Sequence, residues 1–249
     1  MDEQELCKKR LIDLSRQADT KNIVTFSDFL NLNEQNILHG IKRELYSKAE
    51  LFGGYEQAER QMAAFIPDAL CYEFNYPVVC MKAEPLYPRF AENLTHRDVL
   101  GAVMHLGIDR GKIGDLVCSD SYYIFCLENI HGYIMEHLTQ VRHTMMKLTL
   151  LEDMQTVEVH PDFQEMSDTI ASNRIDAVIA KAYNLSRSEA SAYLRADKVF
   201  INGKCITNCN QSCENHAIVS VRGMGRFVFE TDNSFSKKGK LRVRFLKFL

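Results

Sequence analysis

The chain has 249 residues, 46% hydrophobic and 25% charged, with only 12 Gly and 5 Pro, which excludes wholesale disorder, collagen-like repeats and low-complexity arrays. That length exceeds the usual single domain and points to two or three modules. The net charge of -3 conceals a +8 tail from Ser172 to Leu249, with 14 Lys and Arg against 6 Asp and Glu, and a -11 body before it, with 16 against 27.

A basic tail attracts a polyanion and an acidic body limits indiscriminate adhesion, so nucleic acid is the first partner expected. No run approaches the roughly 18 to 20 apolar residues of a bilayer span. The start, MDEQELCKKR, has no apolar core of a secretory signal, so a cytoplasmic location is expected. Eight scattered cysteines then read as reduced thiols.

In chain order, residues 1–75 read as a helical region, with mixed runs from Glu3 to Ala18 and from Asn33 to Ala49, the second capped by Asn33. Gly53-Gly54-Tyr55 reads as a turn, because no Lys follows to complete a phosphate cradle. Residues 76–153 alternate as strand Val78 to Lys82, a helix opened by Thr95, strands Ile113 to Cys118 and Tyr122 to Leu127, a helix capped by Asn129, and strand Lys147 to Leu151. This β-α-β-β-α-β order predicts a ferredoxin-like, RRM-like middle domain. Its open face could bind RNA, but the base-stacking Gly-aromatic signature is missing from Tyr122-Tyr123-Ile124-Phe125, so it reads as scaffold. Residues 154–171, polar and containing Pro161, read as a linker.

Residues 172–249 form the basic module. Asn173 opens a short helix to Ala182, and Ser186-Arg187-Ser188-Glu189 is a capping box for a second helix to Ala196. Asn202-Gly203 between Val199-Phe200-Ile201 and Cys205-Ile206 is a hairpin signal. Strands follow at Ala217 to Val221 and Arg226 to Glu230. At the end, Lys240, Arg242 and Arg244 alternate with Leu241, Val243 and Phe245, so a strand there puts three cations on one face, where they can track a phosphate backbone. The overall class is α+β.

Arg174-Ile175-Asp176, Leu185 to Ala190 and Lys198 to Lys204 together resemble the S4 domain, an RNA-binding module. Upstream, Phe52 to Arg60, Leu94 to Ala102, Leu106-Gly107-Ile108 and Ile113-Gly114-Asp115 resemble the YlmH family. The resemblance implies a bacterial RNA-binding protein of the large ribosomal subunit carrying stalled peptidyl-tRNA, acting in ribosome quality control and often encoded among cell-division genes. It also implies an RNA-facing set of Arg174, Ser186, Arg187 and Ser188. Lys181, Lys198 and Lys204 add longer-range charge, and Asn202, Arg222 and Arg226 complete the expected RNA-binding residues. One departure is Ser191-Ala192, where many S4 domains carry further Arg or Lys.

Three places carry residue types capable of chemistry. His96-Arg97-Asp98 mimics a kinase triplet, but neighbours on a helix point apart, and it reads as a helix start. Cys205, Cys209, Cys213 and His216 have ligand types suited to zinc without the tight Cys-x2-Cys knuckle, so no metal is expected. Asn173-Arg174-Ile175-Asp176 resembles a pseudouridine-synthase segment, but it is already accounted for as the opening of the S4-like helix, and the upstream body lacks room for a separate catalytic domain after its own small sheet. A non-enzyme without cofactors is therefore expected. The alternatives are an RNA-modifying enzyme with an S4 appendage, or a division adaptor that docks a protein partner through the acidic body.

Overall fold

The computed structural model describes residues 3–56, 58–69, 72–154, 157 and 163–248. Two units divide the chain, Met1–His160 and Pro161–Leu249.

The N-terminal region, expected to be helical, is mixed. Helices α1 (Glu3–Lys21) and α2 (Leu32–Gly40) accompany strands β1 (Thr25–Leu30), β2 (Lys48–Phe52) and β3 (Gln61–Ile66), which form an antiparallel sheet in the order β1-β3-β2. Short apolar runs such as Met62 to Phe65 carry no periodicity that tells a buried strand from a buried helix. The cap of α2 is Asn31 rather than Asn33. Asn31 Oδ1 accepts the Glu34 N–H at 3.0 Å, and Glu34 accepts the Asn31 N–H at 2.8 Å. The helix stops at Gly40, so the end of the run expected to be helical becomes β2. Leu11, Ala18, Leu30, Leu38, Ala63 and Phe65 fill the core between these layers.

The middle domain follows the expected order. It contains β4 (Val78–Pro85), α3 (His96–His105), β5 (Ile113–Cys118), β6 (Tyr122–Leu127), α4 (His131–His137) and β8 (Thr144–Leu150), with a two-residue strand β7 (Gln140–Val141) paired to β8. The antiparallel order β5-β6-β4-β8-β7 is that of a split βαβ sheet with one added edge. Thr95 caps α3 in a box with Asp98, and Arg142 pairs with the same carboxylate at 2.8 Å. Hydrogen bonds from Thr95, helped by Arg142, hold the Asp98 carboxyl below the usual range. Asn129 does not cap α4. It lies in a 3-10 turn, Glu128–Ile130, that leads into the helix.

Alternation along the strands separates two cores. Met81, Ala83, Ile124 and Cys126 meet Val99, Val103 and Ile134 from the helices and Leu138 just past the end of α4. On the opposite face Val78, Cys80, Val117 and Phe125 join Phe29 and Met62. The face that an RNA-recognition module leaves open is thus packed here against the N-terminal sheet.

The residues that carried the upstream resemblance build this joint. Asp115 accepts the Tyr55 hydroxyl at 2.8 Å and the Glu59 and Arg60 N–H groups at 2.7 and 3.1 Å. Arg60 donates to the carbonyls of Ile113 at 3.1 Å and Phe29 at 2.8 Å. Gly54 has φ +102°, and a Cβ there would stand 2.5 Å from the Phe125 ring. Gly54→Ala is therefore expected to cost about 2 to 4 kcal/mol through overpacking and a strained φ. Chemical denaturation should show the loss, and an unchanged midpoint would contradict this packing.

The C-terminal unit contains β9 (Phe163–Ile170), α5 (Ile175–Ala182), α6 (Arg187–Arg195), β10 (Val199–Ile201), β11 (Lys204–Cys205), β12 (Ala217–Val221), β13 (Gly225–Glu230) and β14 (Leu241–Phe248). Its sheet runs β11-β10-β12-β13-β14-β9. The expected linker is thereby corrected, since residues 163–170 pair along the whole of β14. The polarity that suggested a linker is that of an edge strand, FQEMSDTI, which exposes charge at the sheet margin. Linker residues 155, 156 and 158–162, including Pro161, lie outside the described residues.

Asn202 and Gly203 have φ +46° and +77°, the two positive values that a type I′ hairpin needs. Ile175, Val178, Ile179, Ala190 and Leu194 press the helices onto Val199, Val219, Phe227, Phe229 and Phe245. Each large side chain buried in this way contributes about 1.5 to 3 kcal/mol. No helix among the described residues is long and apolar enough to cross a membrane.

Candidate nucleic-acid interface

The two helices of the C-terminal unit begin close together, and one carboxylate ties their starts. Arg174, not Asn173, is the N-cap of α5, and its side chain makes no capping bond. Instead its guanidinium lies on Asp176, with Nε to Oδ1 at 3.3 Å and Nη2 to Oδ2 at 3.1 Å. Arg187, the first residue of α6, brings Nε within 3.4 Å of the same Oδ2. Asp176 is 5% exposed and also accepts the Ala177 N–H at 2.9 Å.

A buried carboxylate without partners is costly, so the two guanidiniums are held where Asp176 needs them. Both arginine side chains remain close to half exposed, 42% and 48%. Each guanidinium carries five donors, more than Asp176 consumes, and the rest suit bidentate binding of phosphate. The cluster carries a net charge of +1 beside two helix N-termini, whose dipoles favour an anion, while the Ile175, Ala177 and Glu189 N–H groups are already taken by Gln211, Asp176 and Ser186. At α6, Ser186 Oγ accepts the Glu189 N–H at 3.2 Å and lies 2.9 Å from Ser188 Oγ, while Glu189 accepts the Ser186 N–H at 2.8 Å. The predicted capping box is present, and it places Ser186, Arg187 and Ser188 in the opening turn.

The other predicted residues go elsewhere. Lys181 pairs with Asp168 of β9 at 2.9 Å, and that contact holds the Asp168 carboxyl below its ordinary value. Arg242 and Arg244 are exposed while Leu241, Val243 and Phe245 are buried, the alternation the sequence predicts. Yet Arg244 is engaged by Glu230 at 2.6 Å and lies 3.9 Å from Glu165, and Lys240 and Arg242 lie within the fields of Asp168 and Asp232. This end of the sheet is charge-compensated. Lys204 is exposed on β11, and Lys198 lies 5.8 Å above the Tyr193 ring. Asn202 serves the hairpin, its Oδ1 accepting the Ile218 N–H at 2.9 Å. Arg222 and Arg226 stack over Phe200 and Phe248, at 4.8 and 4.2 Å.

Cys205 is exposed, Cys209 half-buried and Cys213 buried in the core, where burial pushes its thiol up to about 12. Among the described residues no group of three or more His, Cys, Asp or Glu is arranged to hold a metal ion.

Sequence reasoning missed the role of Asp176. Its signal is a carboxylate two residues after an arginine at a helix start, which is also how an ordinary dipole-stabilising acid looks. Asp176→Ala removes a negative charge, which by itself would strengthen RNA binding. Loss of the clamp is expected instead to weaken it by about fivefold to tenfold and to cost about 2 kcal/mol of stability. Anisotropy titrations against a structured RNA decide the sign, and tighter binding would show that Asp176 merely neutralises.

An arginine pair held on one carboxylate at two helix starts, in a basic unit that follows a split-βαβ body, marks an α+β protein whose C-terminal unit presents partly exposed cations at its helix N-termini. Residues 3–69 match the family model described as "YlmH, N-terminal", and residues 75–155 match "Putative RNA-binding domain in YlmH". Together these span more than half of the chain, which belongs to the YlmH family. The ribosome-associated protein quality control protein P2 of Bacillus subtilis (strain 168) is 28% identical over 225 residues, covering 88% of this chain and 85% of the relative. The solved structure of the cell division protein ylmH from Streptococcus pneumoniae resembles this fold with a TM-score of 0.50 at 17% identity, over 61% of this chain and 92% of that one.

Proposed function

We propose that this chain is a cytoplasmic, non-enzymatic RNA-binding protein whose C-terminal unit is an S4-type module. It grips structured rRNA or tRNA on the large ribosomal subunit carrying stalled peptidyl-tRNA, in ribosome-associated quality control. The observation that carries this reading is the Arg174–Asp176–Arg187 clamp at the starts of α5 and α6. It offers fixed, partly exposed guanidiniums and helix dipoles, which suit phosphates and shape rather than base sequence. The printed name of the Bacillus subtilis relative supports the ribosomal setting. The segment that resembles a pseudouridine-synthase motif is occupied structurally, its aspartate buried against two arginines, which favours binding over catalysis.

The test is sucrose-gradient sedimentation of tagged protein from lysate at low and moderate salt, beside the Arg174→Ala, Arg187→Ala variant. Salt-sensitive co-migration of wild type with large subunits, lost in the variant, is the expected result. Wild type remaining at the top of the gradient at low salt would overturn the ribosomal reading.

A further inference from the structure

The C-terminal sheet has a second face, opposite the helices, and its composition is unusual for a solvated surface. Register places Phe200 of β10 opposite Ser220 of β12, and Ser220 opposite Arg226 of β13. One step on, Arg226 stacks on Phe248 of β14, which pairs with Phe163 of β9. The Phe248 and Phe163 rings meet edge to face at 4.9 Å, and Arg222 covers Phe200 at the other end of the row. The inward residues of the same strands, Val199, Val219, Phe227 and Phe245, are buried in the core, whereas all three phenylalanines of the row are half-buried.

The row crosses five strands, a span of roughly 19 Å at the usual strand spacing. Among the described residues no carboxylate falls in it. Glu165, at the margin of the neighbouring row, lies within 3.9 Å of Arg244. An aromatic ring with a guanidinium over it, repeated along one row, is the arrangement that receives unstacked bases together with their phosphates. Arg222 and Arg226 are expected from the sequence only as RNA-binding cations, and the structure gives them aromatic partners on the face of the sheet opposite the helices.

We propose that this face is a second RNA-binding surface, which stacks two or more splayed bases of single-stranded RNA on Phe200 and Phe248 beneath Arg222 and Arg226. The inference rests on the RNA-binding reading above and adds to it a ligand class distinct from structured RNA. A base inserts against each ring, the guanidinium closes over it or turns to its phosphate, and Phe163 supports the Phe248 ring from its edge. Binding there is tolerant of sequence, because every base has a π-face.

The experiment uses the full chain and two fluorescent probes, an oligouridylate of about 10 nucleotides, within the usual range of single-strand sites, and an RNA hairpin duplex. Phe200→Leu with Phe248→Leu keeps the apolar volume and removes the rings. It is expected to weaken oligouridylate binding by roughly tenfold or more per lost stack while leaving the salt slope and the hairpin affinity unchanged. Phe200→Tyr with Phe248→Tyr keeps the π-faces and should bind oligouridylate as wild type does, which separates stacking from any effect on folding. Unchanged oligouridylate affinity in the leucine variant overturns the second surface even if Arg174→Ala, Arg187→Ala abolishes hairpin binding, and the reading above then stands. Wild type binding neither probe overturns both.

Discussion

Arg174→Ala combined with Arg187→Ala should weaken binding to structured RNA by roughly 30- to 100-fold near 0.1 M salt and flatten the salt dependence by about one or two units. The slope follows from the number of phosphates neutralised, and the loss from two charge-assisted forks. The variant also strips Asp176 of both cations. A carboxylate that is 5% exposed then stands without its partners, and stability should fall by about 2 kcal/mol. Arg174→Ala, Asp176→Asn, Arg187→Ala removes the orphan charge and should recover most of that stability while RNA binding stays weak. Titrations at several salt concentrations, paired with thermal melts, separate the two effects. Recovery of RNA binding along with stability would show that the arginines act only through folding.

Asp115→Ala is expected to have the largest effect on stability. Its two oxygens accept three hydrogen bonds from the segment 55–60, two of them from backbone N–H groups that have no obvious replacement. Hydrogen bonds to a charged acceptor are worth about 1.5 to 3 kcal/mol each before relaxation, so a loss of about 3 to 5 kcal/mol is expected. For a unit of this size that lowers the melting temperature by roughly 10 °C. Asp115→Asn keeps one acceptor and should lose about half as much. Affinity for structured RNA should change little, because the helix-start clamp belongs to the other unit. A calorimetric scan with an unmoved first transition would contradict the joint.

What was legible in the sequence follows from how local each signal is. The helix start at Thr95, the capping box at Ser186, the Asn202-Gly203 turn and the β-α-β-β-α-β order depend on residues a few positions apart, and the structure contains all of them. The N-terminal sheet was not legible, because β1, β2 and β3 are short and acquire their strand character only by pairing with one another and burying Phe29 and Met62 beneath the middle domain. For the same reason β9 read as a linker, since an edge strand needs apolar residues on only one side and its partner β14 lies more than 70 residues away.

At the candidate site, the helix-start arginines were visible as charges, and the resemblance singled them out. Their clamp was not visible, because Arg174 and Arg187 meet on Asp176 only after α5 and α6 pack. The cations of β14 show the converse. Their alternation was evident in the sequence, whereas Glu230 and Glu165, which neutralise Arg244, come from neighbouring strands.

RNA is expected to be held at the starts of α5 and α6. Ultraviolet cross-linking of the full chain to purified large ribosomal subunits, followed by peptide mapping, tests it most directly. RNA-linked peptides that span residues 174–191 are expected, lost when Arg174 and Arg187 are both alanine. Cross-links confined to residues 3–154, with the double variant binding subunits as wild type does, would contradict it.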